Sequence, residues 1–87
     1  RTVLITYTGR KTGRSYTIPV WAKVDGDTLR VGVGMPAHKR WWRNLRGAGA
    51  PVEVLVGGRR RHGHAVASGD EHSGVRVTVT LDPEHGS

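Results

Sequence analysis

Apolar and polar residues alternate along most of this chain, in short runs separated by glycine-containing breaks. Val3, Ile5 and Tyr7 alternate with Thr2, Thr6 and Thr8, a period-two pattern rich in β-branched residues that predicts a first strand. A second begins at Ser15, with Tyr16, Ile18, Val20 and Ala22 on one face and Thr17, Pro19, Trp21 and Lys23 on the other. Pro19 has no N–H to give a ladder, so this strand lies at a sheet edge or is bulged there. Asp25-Gly26-Asp27 is a hairpin turn signal, and Leu29, Val31 and Val33 then alternate with Thr28, Arg30 and Gly32 as a third strand. These three strands form a meander.

The period changes after the break at Gly34-Met35-Pro36-Ala37. Trp41, Leu45 and Ala48 fall at i, i+4 and i+7, one face of a short helix that begins after His38 and is stopped by Gly47 and Gly49. Trp41 on that face belongs to the core, whereas Trp42, about 100° further round the helix, is the candidate for a pocket or interface. Alternation returns with Val52, Val54 and Val56, turns at Gly57-Gly58 into a run from Arg60 to Ala67, and after a polar break ends in Val75, Val77, Val79 and Leu81. Pro83 to Ser87 reads as a frayed tail. Six short strands with one helix inserted between the third and fourth predict a mainly β fold, a small antiparallel β-barrel, as one domain over residues 1–87.

A chain of 87 residues buries a limited core, and with no cysteine it has neither disulfides nor a thiolate metal site. Oligomerisation or a bound cofactor is the expected support, and the cysteine count favours a reducing cytoplasm. Fourteen Lys and Arg against seven Asp and Glu leave a net charge of +7, which favours an anionic partner: nucleic acid, acidic lipid headgroups or a phosphorylated small molecule. No apolar run approaches the roughly 20 residues that span a bilayer, so any membrane contact is peripheral. The chain enters a strand-like run directly after Arg1, which reads as the loss of a preceding segment.

The strongest chemical candidate is the stretch Gly9-Arg10-Lys11-Thr12-Gly13-Arg14-Ser15 between the first two strands. Its glycines permit a tight turn that presents backbone N–H groups, and Arg10, Lys11 and Arg14 supply arms that reach phosphate or carboxylate oxygens. Taken alone, such a loop is as readily a solvated turn. His62 and His64 project to one face of a strand, but no third metal ligand accompanies them. Hydrolytic chemistry has no support, because the acids form no pair and no nucleophile stands at a recognisable spacing from a base. A base-stacking platform for single-stranded nucleic acid is poorly supplied, with no Phe and with Tyr7 and Tyr16 at inward positions.

The succession Thr8-Gly9-Arg10-Lys11-Thr12-Gly13-Arg14, Ile18-Pro19-Val20, Asp25-Gly26-Asp27, Trp41-Trp42-Arg43-Asn44-Leu45 and a Val-rich strand ending in Gly57-Gly58-Arg59 resembles the deazaflavin-dependent nitroreductase family. These actinobacterial proteins have the split β-barrel, flavin-reductase-like fold, and the likeness runs from about Val3 to Val66. It implies coenzyme F-420 rather than FMN as cofactor, a homodimer, and hydride transfer from the reduced deazaflavin to a quinone- or nitro-type acceptor, in the cytoplasm or at a membrane surface. It further implies that Arg10, Lys11, Thr12 and Gly13, with Arg14, grip the cofactor's phosphate and glutamyl tail. Tyr16, Ile18, Pro19 and Val20 would line its ring system, Gly34 and Met35 would lie beside it, and Trp41, Trp42 and Asn44 would match the family's aromatic-Asn-Leu segment. Tyr16 stands where relatives often carry Arg, and no Tyr follows it, although active relatives carry tyrosines near the C-terminus. A barrel of this kind that only binds a fatty acid or other anion is the alternative.

Overall fold

The structure, a computed structural model, describes residues 1–83, so the expected tail at Pro83 to Ser87 falls almost wholly outside the described residues. Seven strands form one sheet: β1 Thr2–Thr8, β2 Ser15–Trp21, β3 Lys23–Asp25, β4 Thr28–Val33, β5 Ala50–Val56, β6 Arg59–Asp70 and β7 Gly74–Leu81. Their order is β2-β1-β5-β6-β7-β4-β3, and every neighbouring pair is antiparallel. The fold is mainly β, as the alternation predicts.

Seven strands appear where six were expected because the second is broken at Ala22. Its first part pairs with β1, from Thr2 opposite Trp21 to Thr8 opposite Ser15, and its second part pairs with β4. β2 and β3 thus sit at the two ends of the sheet order while only Ala22 separates them in the chain. The sheet therefore curls into a half-barrel. Ala22 is fully buried at the bend, its N–H donates to Arg1 O at 2.8 Å, and its own carbonyl accepts from the Arg1 amino group at 2.8 Å. A small side chain fits where one strand must serve both ends. Pro19 lies on the edge strand, as its missing N–H requires.

The inward faces supply the core: Val3 and Ile5 from β1, Leu29 and Val31 from β4, Val52 and Val54 from β5, and Val75, Val77, Val79 and Leu81 from β7. Between β4 and β5 there is no α-helix. Two 3-10 turns take its place, Pro36–His38 and Trp41–Leu45, and they reverse the expected roles of the two tryptophans. With about three residues per turn, Trp42 and Leu45 fall on one side, and both are fully buried. Trp42 also donates its indole N–H to Pro36 O at 3.0 Å, which seats the second turn on the first. Trp41 is only half-buried, packed against the core from its margin. Ala48 lies beyond the turn, so the i+7 position that suggested an α-helix has no part in it.

The polar break expected after Ala67 shrinks to a tight turn. Asp70 pairs with Gly74, and the Asp70 carboxylate accepts the N–H groups of His72 at 2.8 Å and Ser73 at 2.7 Å. These bonds, led by the one from Ser73, hold the carboxyl below the usual range. Among the described residues, no helix is long and apolar enough to cross a membrane.

Candidate functional site

The β1–β2 loop and the second 3-10 turn face each other across an open groove of about 900 Å³. The loop is closed by its own backbone: Gly9 N–H donates to Arg14 O at 2.8 Å, and Gly13 N–H donates to Gly9 O at 2.9 Å. Gly13 takes φ 69°, the left-handed region. Gly9 is required for a different reason, since a Cβ there would lie 2.9 Å from both Thr12 Oγ1 and Tyr16 Cε2. Thr12 Oγ1 accepts Arg14 N–H and shares a hydrogen bond with the Tyr16 hydroxyl, each at 3.2 Å.

Asn44 locks this loop to the turn opposite. Its Oδ1 accepts the Arg10 N–H at 3.0 Å, and its Nδ2 donates to Trp41 O at 3.1 Å. The Arg10 guanidinium adds a longer bond to Arg43 O at 3.4 Å. Positive charge then converges from both sides, Arg10 and Lys11 from the loop and Arg40 and Arg43 from the turn. Arg43 is paired with Glu71, although its Nε is buried without a hydrogen-bond partner. Lys11 and Arg40 make no ion pair among the described residues. Four cations against one carboxylate give the groove a positive character that favours an anion.

Its other wall is aromatic. Tyr7 stacks on Tyr16 with ring centroids 5.5 Å apart, and Trp41 lies 6.4 Å from Tyr7 on a tilted plane. The three rings follow from strand pairing, since Tyr7 stands opposite Tyr16 and both point inward at the open end of the half-barrel. Partial burial and the neighbouring Tyr16 raise the pKa of the Tyr7 phenol, so it keeps its proton at neutral pH.

A groove with a cationic wall and an aromatic wall suits a flat ring that carries an anionic tail. Residues 1–82 match a family model described as F420H(2)-dependent quinone reductase. The chain belongs to that family. Its cofactor is coenzyme F-420, and the groove fits such a group, because Lys11 and Arg40 reach it uncompensated by any described acid. No curated protein matches the chain.

Of the positions expected to contact the cofactor in this quinone reductase family member, Arg10, Lys11, Thr12, Tyr16, Trp41 and Asn44 come together in the groove. Gly13 and Arg14 shape the loop without lining the groove, while Ile18 and Val20 point inward and are half-buried against the core. Pro19 is exposed on the outer side of its strand. Gly34 and Met35 lie beyond the end of β4, and Met35 adopts φ 50° with 69% of its surface exposed. Trp42, expected at a pocket or interface, is instead sealed in the core, where Arg43 and Arg46 flank its ring at 5.4 and 4.9 Å. Gly9 of the basic loop, Arg40 and Arg43 beside the tryptophans, and Tyr7 line the groove as well, and of these sequence reasoning missed Tyr7. For Tyr7 the signal was present, since it shares the inward parity of Tyr16 across a two-strand hairpin.

Proposed function

We propose that the groove holds reduced coenzyme F-420 and that this chain catalyses reduction of a quinone there, with the cations on the cofactor's phosphate and glutamyl tail and the aromatic rings beside its ring system. The observation that carries the reading is the convergence of Lys11 and Arg40, from segments far apart in sequence, on one groove without an acidic partner among the described residues. When bound, the reduced deazaflavin supplies the hydride. The chain's residues bind and orient. Asn44 holds the loop at a set distance from the turn, so the cations are placed before the ligand arrives. Trp41 and Tyr16 shield one side of the groove from water, and the Tyr7 hydroxyl stays protonated, able to donate a hydrogen bond but not to remove a proton. Nitro-type acceptors would enter by the same aromatic side. A homodimer is part of this reading, because a chain of 87 residues gains from further buried surface.

The test is deazaflavin fluorescence. The purified protein quenches or shifts F-420 emission at micromolar concentration, and replacing both Lys11 and Arg40 with Ala weakens binding about 10- to 100-fold with the fold intact. Absence of any spectral change in the wild type would sink the reading. Binding without turnover of any quinone would favour a non-catalytic barrel that holds a fatty acid or other anion.

A further inference from the structure

Arg43 differs from the other cations of the groove. It lines the groove with Arg10, Lys11 and Arg40, yet among the described residues it alone of the four pairs with a carboxylate, that of Glu71 in the turn between β6 and β7. Glu71 does not line the groove and meets it only through this arm. The turn that carries Glu71 is fixed, because Asp70 faces Gly74 across the hairpin and its carboxylate accepts the N–H groups of His72 and Ser73. The carboxylate is therefore presented at a set place.

The pair itself is loosely made. The Arg43 side chain is 43% exposed and that of Glu71 38%, and the Arg43 Nε is buried without a hydrogen-bond partner, so the contact through Nη2 leaves the guanidinium incompletely satisfied. Ion pairs this open to water contribute little stability. Nor does the arm need Glu71 for its place, since it lies over the ring of the fully buried Trp42, 5.4 Å from the centroid. What the carboxylate does is electrostatic: it offsets one of the four positive charges and repels an anion entering beside it. The cations thus fall into two tiers. Lys11 and Arg40, which make no ion pair among the described residues, take a first anionic group without breaking a contact, whereas Arg43 passes to a second group only in exchange for Glu71.

We propose that Glu71 is a positioning residue that sets the charge preference of the groove: it holds Arg43 as a reserve cation, which passes to the ligand when the ligand carries a second anionic group. This exchange deepens the reading of the groove as an F-420 site and rests on that reading for the identity of the tail alone. Binding is measured for F-420 by fluorescence and, independently of any deazaflavin, for inorganic triphosphate and orthophosphate by calorimetry. Glu71→Gln tightens F-420 and triphosphate about three- to tenfold and orthophosphate less than about twofold, while the melting temperature moves little. Asp25→Asn, an equal change in net charge on an exposed side chain away from the groove, alters each affinity by less than about twofold. Arg43→Met keeps the stem over Trp42 and removes the charge, and in that background Glu71→Gln brings no gain. A merely structural role for Glu71 predicts weaker binding and an unchanged ratio of triphosphate to orthophosphate affinity. Triphosphate binding that Glu71→Gln leaves unchanged or weakens, an equal gain from Asp25→Asn, or a gain that persists beside Arg43→Met would overturn the proposal. The expected triphosphate series in a protein that gives no F-420 signal would remove the cofactor reading and leave the exchange standing.

Discussion

Adjacent tryptophans with opposite fates show what a single residue decides in this fold. Trp42 fills the half-barrel beside Leu45 and is fully buried, whereas Trp41 lies half-buried at the groove. Trp42→Ala removes the largest buried side chain and its bond to Pro36, so a loss of about 3–5 kcal/mol is expected, most of the stability of a small domain. Trp41→Ala, at a partly buried position, lowers the thermal midpoint much less than Trp42→Ala and weakens F-420 binding about fivefold. Thermal melting and fluorescence titration of the two variants check this pair, and equal destabilisation would contradict the assignment. The Tyr7 phenol gives a second handle. Its folded pKa is raised above the ordinary 10.0 by burial first and by Tyr16 second. The unfolded chain therefore loses this proton first as pH rises, so the contribution to stability is fully present below about pH 10 and is lost as pH climbs through the folded value. Phenolate absorbance shows a component titrating above 10.0 that Tyr7→Phe abolishes.

The strands were legible because alternation carries them: inward Val3, Ile5, Leu29, Val31, Val52, Val54, Val75, Val77, Val79 and Leu81 are all buried. The segment from Pro36 to Leu45 was not, because apolar residues at i and i+4 argue for an α-helix while the observed burial at i and i+3 follows the tighter 3-10 winding. Too few residues separate Pro36 from Gly47 for periodicity to distinguish the two. The basic loop was legible as chemistry but not as geometry, since its clamp by Asn44 is a contact between distant segments. Gly9 tests the loop as an element. Gly9→Ala places a Cβ 2.9 Å from Tyr16 Cε2 and Thr12 Oγ1, forces the Tyr16 ring away and parts the two hydroxyls. F-420 affinity falls about three- to tenfold while the melting temperature moves little, because the displaced groups are exposed side chains rather than core. Unaltered affinity would show that the loop's shape does not matter to the ligand.

At the scale of the whole molecule, closure rests on Ala22, the residue between strands at opposite ends of the sheet. Ala22→Leu crowds a fully buried bend and is expected to cost about 1–3 kcal/mol, read as a lower midpoint in chemical denaturation with the slope unchanged. A loss confined to a local probe, without a shift in the global midpoint, would show that the bend is not part of the cooperative unit. The split of the second strand was hidden in the sequence, since Tyr16 to Lys23 alternate without interruption and nothing local marks where the partner changes from β1 to β4.

The sheet order also sets a schedule. β1 finds one partner in β5 and β4 finds one in β7, so residues from the first part of the chain wait for others made much later. Leu4 must meet Leu55, and Val31 must meet Val77, the second of these pairings lying near the end of the described chain. Such non-local pairings make the closing of long loops the slow step, which places folding in the range of milliseconds to seconds typical of β-rich domains. During synthesis the early hairpins emerge with their apolar faces uncovered, and the half-barrel cannot shut until Gly74–Leu81 has left the ribosome.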